Sequence, residues 1–226
     1  MRRFCFFHIP KSAGTSFAAG LRSIFSVSPP FPAGARMDES TASAISVYTV
    51  AGGHLSCDDY VRWFSDRAAF TILRDPIERC LSWYWYCRNV VPDHVTAPDV
   101  RSAKYLPPEE YFYQDRDVIF RVMNAQARQI GGHYFFPEPC DAAVLVRAKG
   151  MLDRMIWIGL AETLECDAGR LRKIPEFSAL PAIGRTNTSV RDFGVPAAVR
   201  DRIEEINGRD IELYEHAKNL IAQSSG

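Results

Sequence analysis

The chain has 226 residues, 47% of them hydrophobic and 24% charged, the balance of an ordinary globular protein long enough to bury a substantial core. Lys plus Arg and Asp plus Glu number 27 each, so the summed charge predicts neither a nucleic-acid nor a membrane partner, and any anion site must come from locally placed positive groups. No run approaches the ~18 apolar residues of a membrane span.

The start, Met1-Arg2-Arg3 before Phe4-Cys5-Phe6-Phe7, imitates a signal peptide for only a few residues, because Pro10-Lys11 interrupts it. With Met1 as the natural start, the protein is expected in the cytoplasm. Residues 3–9 are short, aromatic and apolar, as expected of a buried strand. Pro10 to Gly14 form a loop, and Thr15 or Ser16 is expected to cap a helix running to about Phe25. Pro29, Pro30, Pro32 and Gly34 mark a connection over 26–36. Ile45 to Ala51 reads as a second strand, ending at Gly52-Gly53-His54. A short helix over 57–65 precedes a third strand, Ala69 to Leu73, which ends at Arg74-Asp75-Pro76. A helix follows from Pro76, a residue favoured in a first helical turn.

Residues 90–108, with Pro92, Pro98, Pro107 and Pro108, are expected to be a mobile loop or insertion. Helical periodicity returns from Pro108 to Ile130 with a break near Gln114, and again from Asp141 to Asp153. Met155 to Leu160 reads as a fourth strand and Thr163 to Lys173 as its helix. Irregular chain leads to one or two helices over Pro196 to Ala222. Alternating strands and helices predict an α/β protein of one domain over 1–226, with a central, mostly parallel sheet flanked by helices. The six cysteines form no Cys-x-x-Cys pair and no repeating zinc-ligand spacing with His, so reduced, mostly buried thiols are expected.

Two segments carry chemistry. In the first, His8 to Ser16, a strand runs into a small-residue loop that opens a helix. Backbone N–H groups at such a start carry the positive end of the helix dipole. Lys11 adds a cation, and Ser12, Thr15 and Ser16 add hydroxyls around Ala13 and Gly14, a setting for a phosphate or phosphosulfate. It is not a Walker A loop, because the lysine precedes the glycine. In the second, Arg74 to Tyr84, an arginine at a strand end can hold a phosphate in a bidentate grip, with Ser82 two turns into the next helix completing it. Arg79 is either a salt-bridged structural residue or a ligand contact.

Together these segments, in this order and about 60 residues apart, resemble the sulfotransferases that use 3′-phosphoadenosine 5′-phosphosulfate (PAPS), in the branch of the heparan sulfate 2-O- and 6-O-sulfotransferases and bacterial relatives. The resemblance implies a three-layer P-loop-like fold and sulfuryl transfer to an acceptor hydroxyl, with PAP (3′-phosphoadenosine 5′-phosphate) as product. It implies that Pro10 to Ser16 hold the 5′-phosphosulfate, and Arg74 and Ser82 the 3′-phosphate. Asn124 to Arg128 is similar to an Asn-x-Gln-x-Arg stretch of many relatives, and Arg185 to Ser189 resembles a segment closing over the donor, so Arg185 and Thr188 are donor candidates.

Transfer of this kind depends on positioning and electrostatics. Lys11 is the candidate for stabilising charge on the bridging oxygen. His54 is the candidate general base, since a neutral imidazole accepts a proton at physiological pH; the bland alternative is a loop histidine. Asp38 and Glu39 are outside candidates for the base. Arg128 and His133 are candidates for acceptor binding, with helix-surface pairing and a turn as their alternatives. Most of Trp83-Tyr84-Trp85-Tyr86 is expected in the core, with stacking on a sugar or adenine as the alternative. No metal is expected, because Lys11, Arg74 and helix dipoles handle the anions. The acceptor is expected to be a carbohydrate or a small molecule bearing a hydroxyl. A nucleotide-dependent kinase would need a Walker A loop and a magnesium carboxylate, neither of which is found; a non-catalytic binder of the donor stays open. Oligomeric state is not encoded legibly.

Overall fold

The computed structural model describes residues 2–31, 37–132, 139–184 and 194–224. In chain order they form β1 (Phe4–Phe7), α1 (Gly14–Arg22), α2 (Glu39–Ser46), β2 (Val50–Gly53), α3 (Cys57–Trp63), β3 (Ala68–Leu73) and α4 (Pro76–Asn89). Then come α5 (Pro98–Tyr105), α6 (Pro108–Tyr111), α7 (Arg116–Ile119), α8 (Ala125–Gly131), α9 (Ala142–Leu152) and β4 (Trp157–Leu160). The chain continues with α10 (Leu164–Leu171), a 3-10 turn (Pro175–Phe177), α11 (Ala197–Ile206) and α12 (Gly208–Gln223).

The four strands form a parallel sheet in the order β2-β1-β3-β4. Strand alternation divides its side chains between two helical layers. Phe4, Phe6, Phe70, Ile72 and Trp157 pack with Phe17 and Leu21 of α1 and with Ala168 and Leu171 of α10. On the opposite face Cys5, Phe7, Ala51, Leu73 and Ile158 pack against α3, α8, α9 and α12 through residues such as Cys57, Ala127, Leu152 and Leu213. Both faces are covered, which is why the strands read as continuous apolar runs. The result is the expected three-layer α/β fold of P-loop-like type. A third cluster, built on Leu81, Tyr84 and Trp85 of α4, joins α5, Tyr111, Phe112 and α11.

Several expectations are corrected. The span from Ile45 to Ala51 is not one strand. Asp38 accepts from the Thr41 N–H and starts α2, while Ala42 and Ile45 bury at helical spacing, leaving only Val50–Gly53 to join the sheet. Neither Thr15 nor Ser16 caps α1; the helix begins earlier, from Ala13 in the left-handed region, without a side-chain cap. The 90–108 stretch contains α5, which buries Val100 and Ala103 and is tied to α4 by Trp83 Nε1 donating to Asp99 (3.2 Å) and by the Arg88 guanidinium on the Ala103 carbonyl (3.0 Å). The long helical span over 108–130 is broken into α6, α7 and α8, the last preceded by Asn124 at φ 47°. The cysteines are free thiols, four of them buried, with Cys140 intermediate and Cys166 exposed. Among the described residues, no helix is long and apolar enough to cross a membrane.

Candidate functional site

Strand order decides where the site sits. From β1 the chain crosses to β2 on one side, whereas from β3 it proceeds to β4 on the other, so the carboxyl ends of the neighbouring strands β1 and β3 flank the switch point where open α/β sheets bind ligands. The two chemistry-bearing segments leave from these two ends.

The loop after β1 is tightly wound. Lys11 (φ 70°) and Ala13 (φ 60°) both lie in the left-handed region, unusual for residues with a Cβ and of the kind found at functional turns. The winding brings α1 in with no acidic residue in its first turn, leaving the positive end of its dipole uncompensated there. Gly14 permits the winding, since a Cβ on it would lie 2.1 Å from His8 Cδ2. Ser12 is 1% exposed, and its Oγ is buried with no hydrogen-bond partner, an orphaned polar atom inside the loop proposed to cradle an anion.

Lys11 turns its ammonium over the ring of Tyr86, 3.9 Å from the centroid. Burial, and then the Arg74 charge, lower its pKa to about 8. Arg74 Nη1 donates to the Lys11 carbonyl at 3.0 Å, so the two segments meet directly. Its Nε lies 4.0 Å from Glu162, and its side chain stays one-quarter exposed. Ser82 is buried one turn before Tyr86 on α4, and i, i+4 spacing sets both on the face that meets Lys11.

His54 follows β2. Its Nδ1 lies 3.0 Å from the His8 carbonyl, and because a carbonyl only accepts, Nδ1 carries the proton and Nε2 is the basic nitrogen of the ring. The His54 ring stacks on that of His8 with centroids 4.9 Å apart. Burial lowers the pKa of His54, offset in part by the bond to His8. Burial, followed by the charges of His54, Arg22 and Lys11, pushes His8 down to about 3. Both rings are therefore neutral at neutral pH. Gln129 Nε2 donates to the His8 and Leu55 carbonyls (3.2 and 3.0 Å), pinning the segment on either side of the stack.

The structure thus brings Lys11, Ser12, Ala13, Gly14, Arg74 and the His8–His54 stack to the carboxyl ends of the parallel strands, with Ser82 on the Tyr86 face of α4 and Thr15 and Ser16 in the first turn of α1. Arg128 is 4% exposed and sends Nη1 to the Phe120 and Met123 carbonyls (2.6 and 3.4 Å). Arg79 is fully buried and donates to the Val122 carbonyl at 2.9 Å. Asp38 is spent as the cap of α2, its exposed carboxyl held below the usual range by hydrogen bonds from Thr41 and Ser40, and Glu39 stands in the first turn of that helix. His133, Arg185 and Thr188 lie outside the described residues. Of the aromatic run, Tyr84 and Trp85 are core residues, whereas Tyr86 is the seat of Lys11, a role that the residue pattern alone does not reveal. Gln126, which the sequence offers only within the Asn124 to Arg128 stretch, and Glu162 are further members whose positioning roles sequence reasoning did not find: Gln126 binds the Arg74 backbone, and Glu162 accepts from the Asp75 N–H (3.1 Å) and from the Tyr214 hydroxyl (3.0 Å). Among the described residues, no group of three or more His, Cys, Asp or Glu side chains is arranged to hold a metal ion.

No protein-family model matches the sequence, and no curated protein matches it either. The structure is similar to the crystal structure of a sulfotransferase from Alicyclobacillus acidocaldarius, with a TM-score of 0.52 over 98% of this chain and 96% of that one, at 11% sequence identity. The chain carries the α/β fold of that sulfotransferase.

Proposed function

We propose that the protein is a PAPS-dependent sulfotransferase acting on the hydroxyl of a carbohydrate or small-molecule acceptor, with PAP as product. The observation that carries this reading is the 3.0 Å contact between Arg74 and the Lys11 carbonyl, which makes the two anion grips one site at the β1/β3 switch point. The residues present fit the donor: an orphaned Ser12 hydroxyl, an uncapped helix start and two cations stand at one place in a chain of zero net charge. The likeness to the heparan sulfate 2-O- and 6-O-sulfotransferases rests on the same two segments and on His54, and is part of this proposal.

When bound, the donor supplies the sulfuryl group and an anionic phosphate leaving group. The start of α1, Lys11 and Ser12 serve its 5′ end, while Arg74 and Ser82 serve the 3′-phosphate. Lys11 offsets the negative charge that builds on the bridging oxygen. His54 Nε2 takes the proton of the acceptor hydroxyl, and its Nδ1–H, bound to the His8 carbonyl, keeps the ring in the tautomer that can do so.

The test is a thermal-shift comparison of PAP, adenosine 5′-phosphate and ATP, followed by labelled PAPS with an acceptor panel that begins with carbohydrates. His54→Ala is expected to keep PAP binding and lose transfer. Stabilisation by ATP and not by PAP would refute the donor assignment, and full turnover in His54→Ala would remove the base.

A further inference from the structure

Arg74 and Asp75 lie between β3 and α4, where regular structure does not supply partners for their N–H groups. Side chains do so: the Asp75 N–H donates to Glu162, and the Arg74 N–H donates to Gln126 Oε1 at 2.9 Å. The Arg74 carbonyl also accepts from Gln126 Nε2 at 2.8 Å. One fully buried primary amide therefore satisfies both backbone groups of the same residue. A two-point contact of this kind fixes the peptide plane from which the Arg74 side chain departs.

Gln126 is itself anchored. It stands in the first turn of α8, where the Asp210 carboxylate accepts from the N–H groups of Gln126 (3.1 Å) and Ala127 (2.8 Å). Asp210 belongs to the first turn of α12, where the N–H groups of Arg209 and Asp210 donate to Asn124 Oδ1 at 2.9 and 3.1 Å. Each helix thus caps the other: Asp210 of α12 closes the start of α8, and Asn124, just before α8, closes the start of α12. Asn124 takes the left-handed conformation (φ 47°) and donates its own N–H to Asn207 Oδ1 at 2.8 Å. Gln126, Asn207 and Asp210 are all fully buried.

We infer that Gln126 is a positioning residue for the anion grip, holding the Arg74 backbone through the reciprocal cap of α8 and α12 in the orientation that sends the guanidinium to the Lys11 loop. This rests on the functional reading above, in which Arg74 meets the 3′-phosphate. Both polar atoms of the Gln126 amide are engaged by the Arg74 backbone. Its effect is selective for the phosphate that Arg74 holds, whereas a merely structural residue acts on every ligand alike.

The experiment measures PAP and adenosine 5′-phosphate affinities by calorimetry in the wild type, Gln126→Met and Gln126→Ala, with melting curves to confirm folding. The two nucleotides differ only in the 3′-phosphate. The expected result is a loss of about tenfold for PAP with adenosine 5′-phosphate changed by no more than about twofold, so the preference for PAP collapses. Should both variants fail to fold, Gln126→Glu, which keeps the volume and an acceptor for the Arg74 N–H, is read in the same way. A wild-type preference for PAP that survives in the variants, or affinities for the two nucleotides that fall in parallel, overturns the inference. A wild type that does not prefer PAP overturns the functional reading, and the inference with it.

Discussion

Lys11 titrates where an enzyme can be assayed, and the pH–rate profile follows from that. Burial of the ammonium, and then its proximity to Arg74, bring its pKa to about 8, so half of the free protein lacks this charge at pH 8 and about nine-tenths lacks it one unit higher. If the charged form is the active one, kcat/KM falls close to tenfold for each pH unit above 8, until only the about 10²–10³-fold contribution of this single group has been lost. On the acidic side, activity falls as His54 gains a proton. Burial holds its pKa below the ordinary histidine value of ~6.5, so the acidic limb lies below that. The profile of kcat/KM is a bell between these limits. In the profile of kcat the alkaline limb moves to higher pH, because the phosphate charges of the bound donor favour the ammonium form. Lys11→Arg removes the alkaline limb, since a guanidinium stays charged throughout. An alkaline limb that stays in place in Lys11→Arg would refute the assignment, as would a wild-type profile that stays flat from pH 7 to pH 10.

Three further outcomes are expected. In Tyr86→Leu the ring that favours the charged ammonium is lost, so the alkaline limb moves down by roughly half a unit, an effect of about 0.5–1 kcal/mol, while Tyr86→Phe leaves it in place. Gly14→Ala drives a methyl to 2.1 Å from a His8 ring already stacked on Phe6 and His54, which is expected to cost about 1–3 kcal/mol, read as a lower urea midpoint. His8 has a folded-state pKa of about 3, below its unfolded value, so the unfolded chain binds the extra proton. Its contribution to stability is complete above ~6.5 and declines as pH falls toward 3, by at most ~1.4 kcal/mol per unit. Urea midpoints at pH 7 and pH 4.5 should differ less in His8→Gln than in the wild type, and an equal difference would count against this account.

The fold was legible wherever the pattern was dictated by burial on both faces. β1, β3 and β4 appear in sequence as short apolar runs because helices cover both sides of each strand. β2 was not legible. Val50-Ala51-Gly52-Gly53 has little strand propensity, and the β-branched Ile45 and Val47 just before it draw the expectation upstream. What decides the matter is Asp38: it caps α2, buries Ile45 as a helical residue and leaves Val47 80% exposed. The helices broken at 112–124 follow the same lesson. Their periodicity is real, but the turn at Asn124 exists to engage residues more than 80 positions away, through the Asn207 side chain (83) and the Asp210 N–H (86), and no local window contains them.

The site divides in a similar way. Groups proposed to touch an anion sit on contiguous segments at two strand ends, so Lys11 to Ser16 and Arg74 to Ser82 could be read from spacing. The residues that orient them come from elsewhere: Gln126 reaches Arg74 across 52 positions, and Glu162 reaches Asp75 across 87. Even where the Asn124 to Arg128 stretch stands out, the role of Gln126 is not written in it, because a buried amide or carboxylate is defined by what it meets. The overall charge was equally uninformative. A chain balanced at 27 positive and 27 negative residues concentrates its field by geometry, holding Lys11 close enough to Arg74 that the arginine charge adds to burial in lowering the lysine pKa. Glu162, 4.0 Å from Arg74 and more than one-third exposed, relieves part of that repulsion from the outer side. In the proposed function, the anion that enters beside Lys11 relieves the rest, so its affinity draws on a repulsion that the fold has already imposed on that lysine.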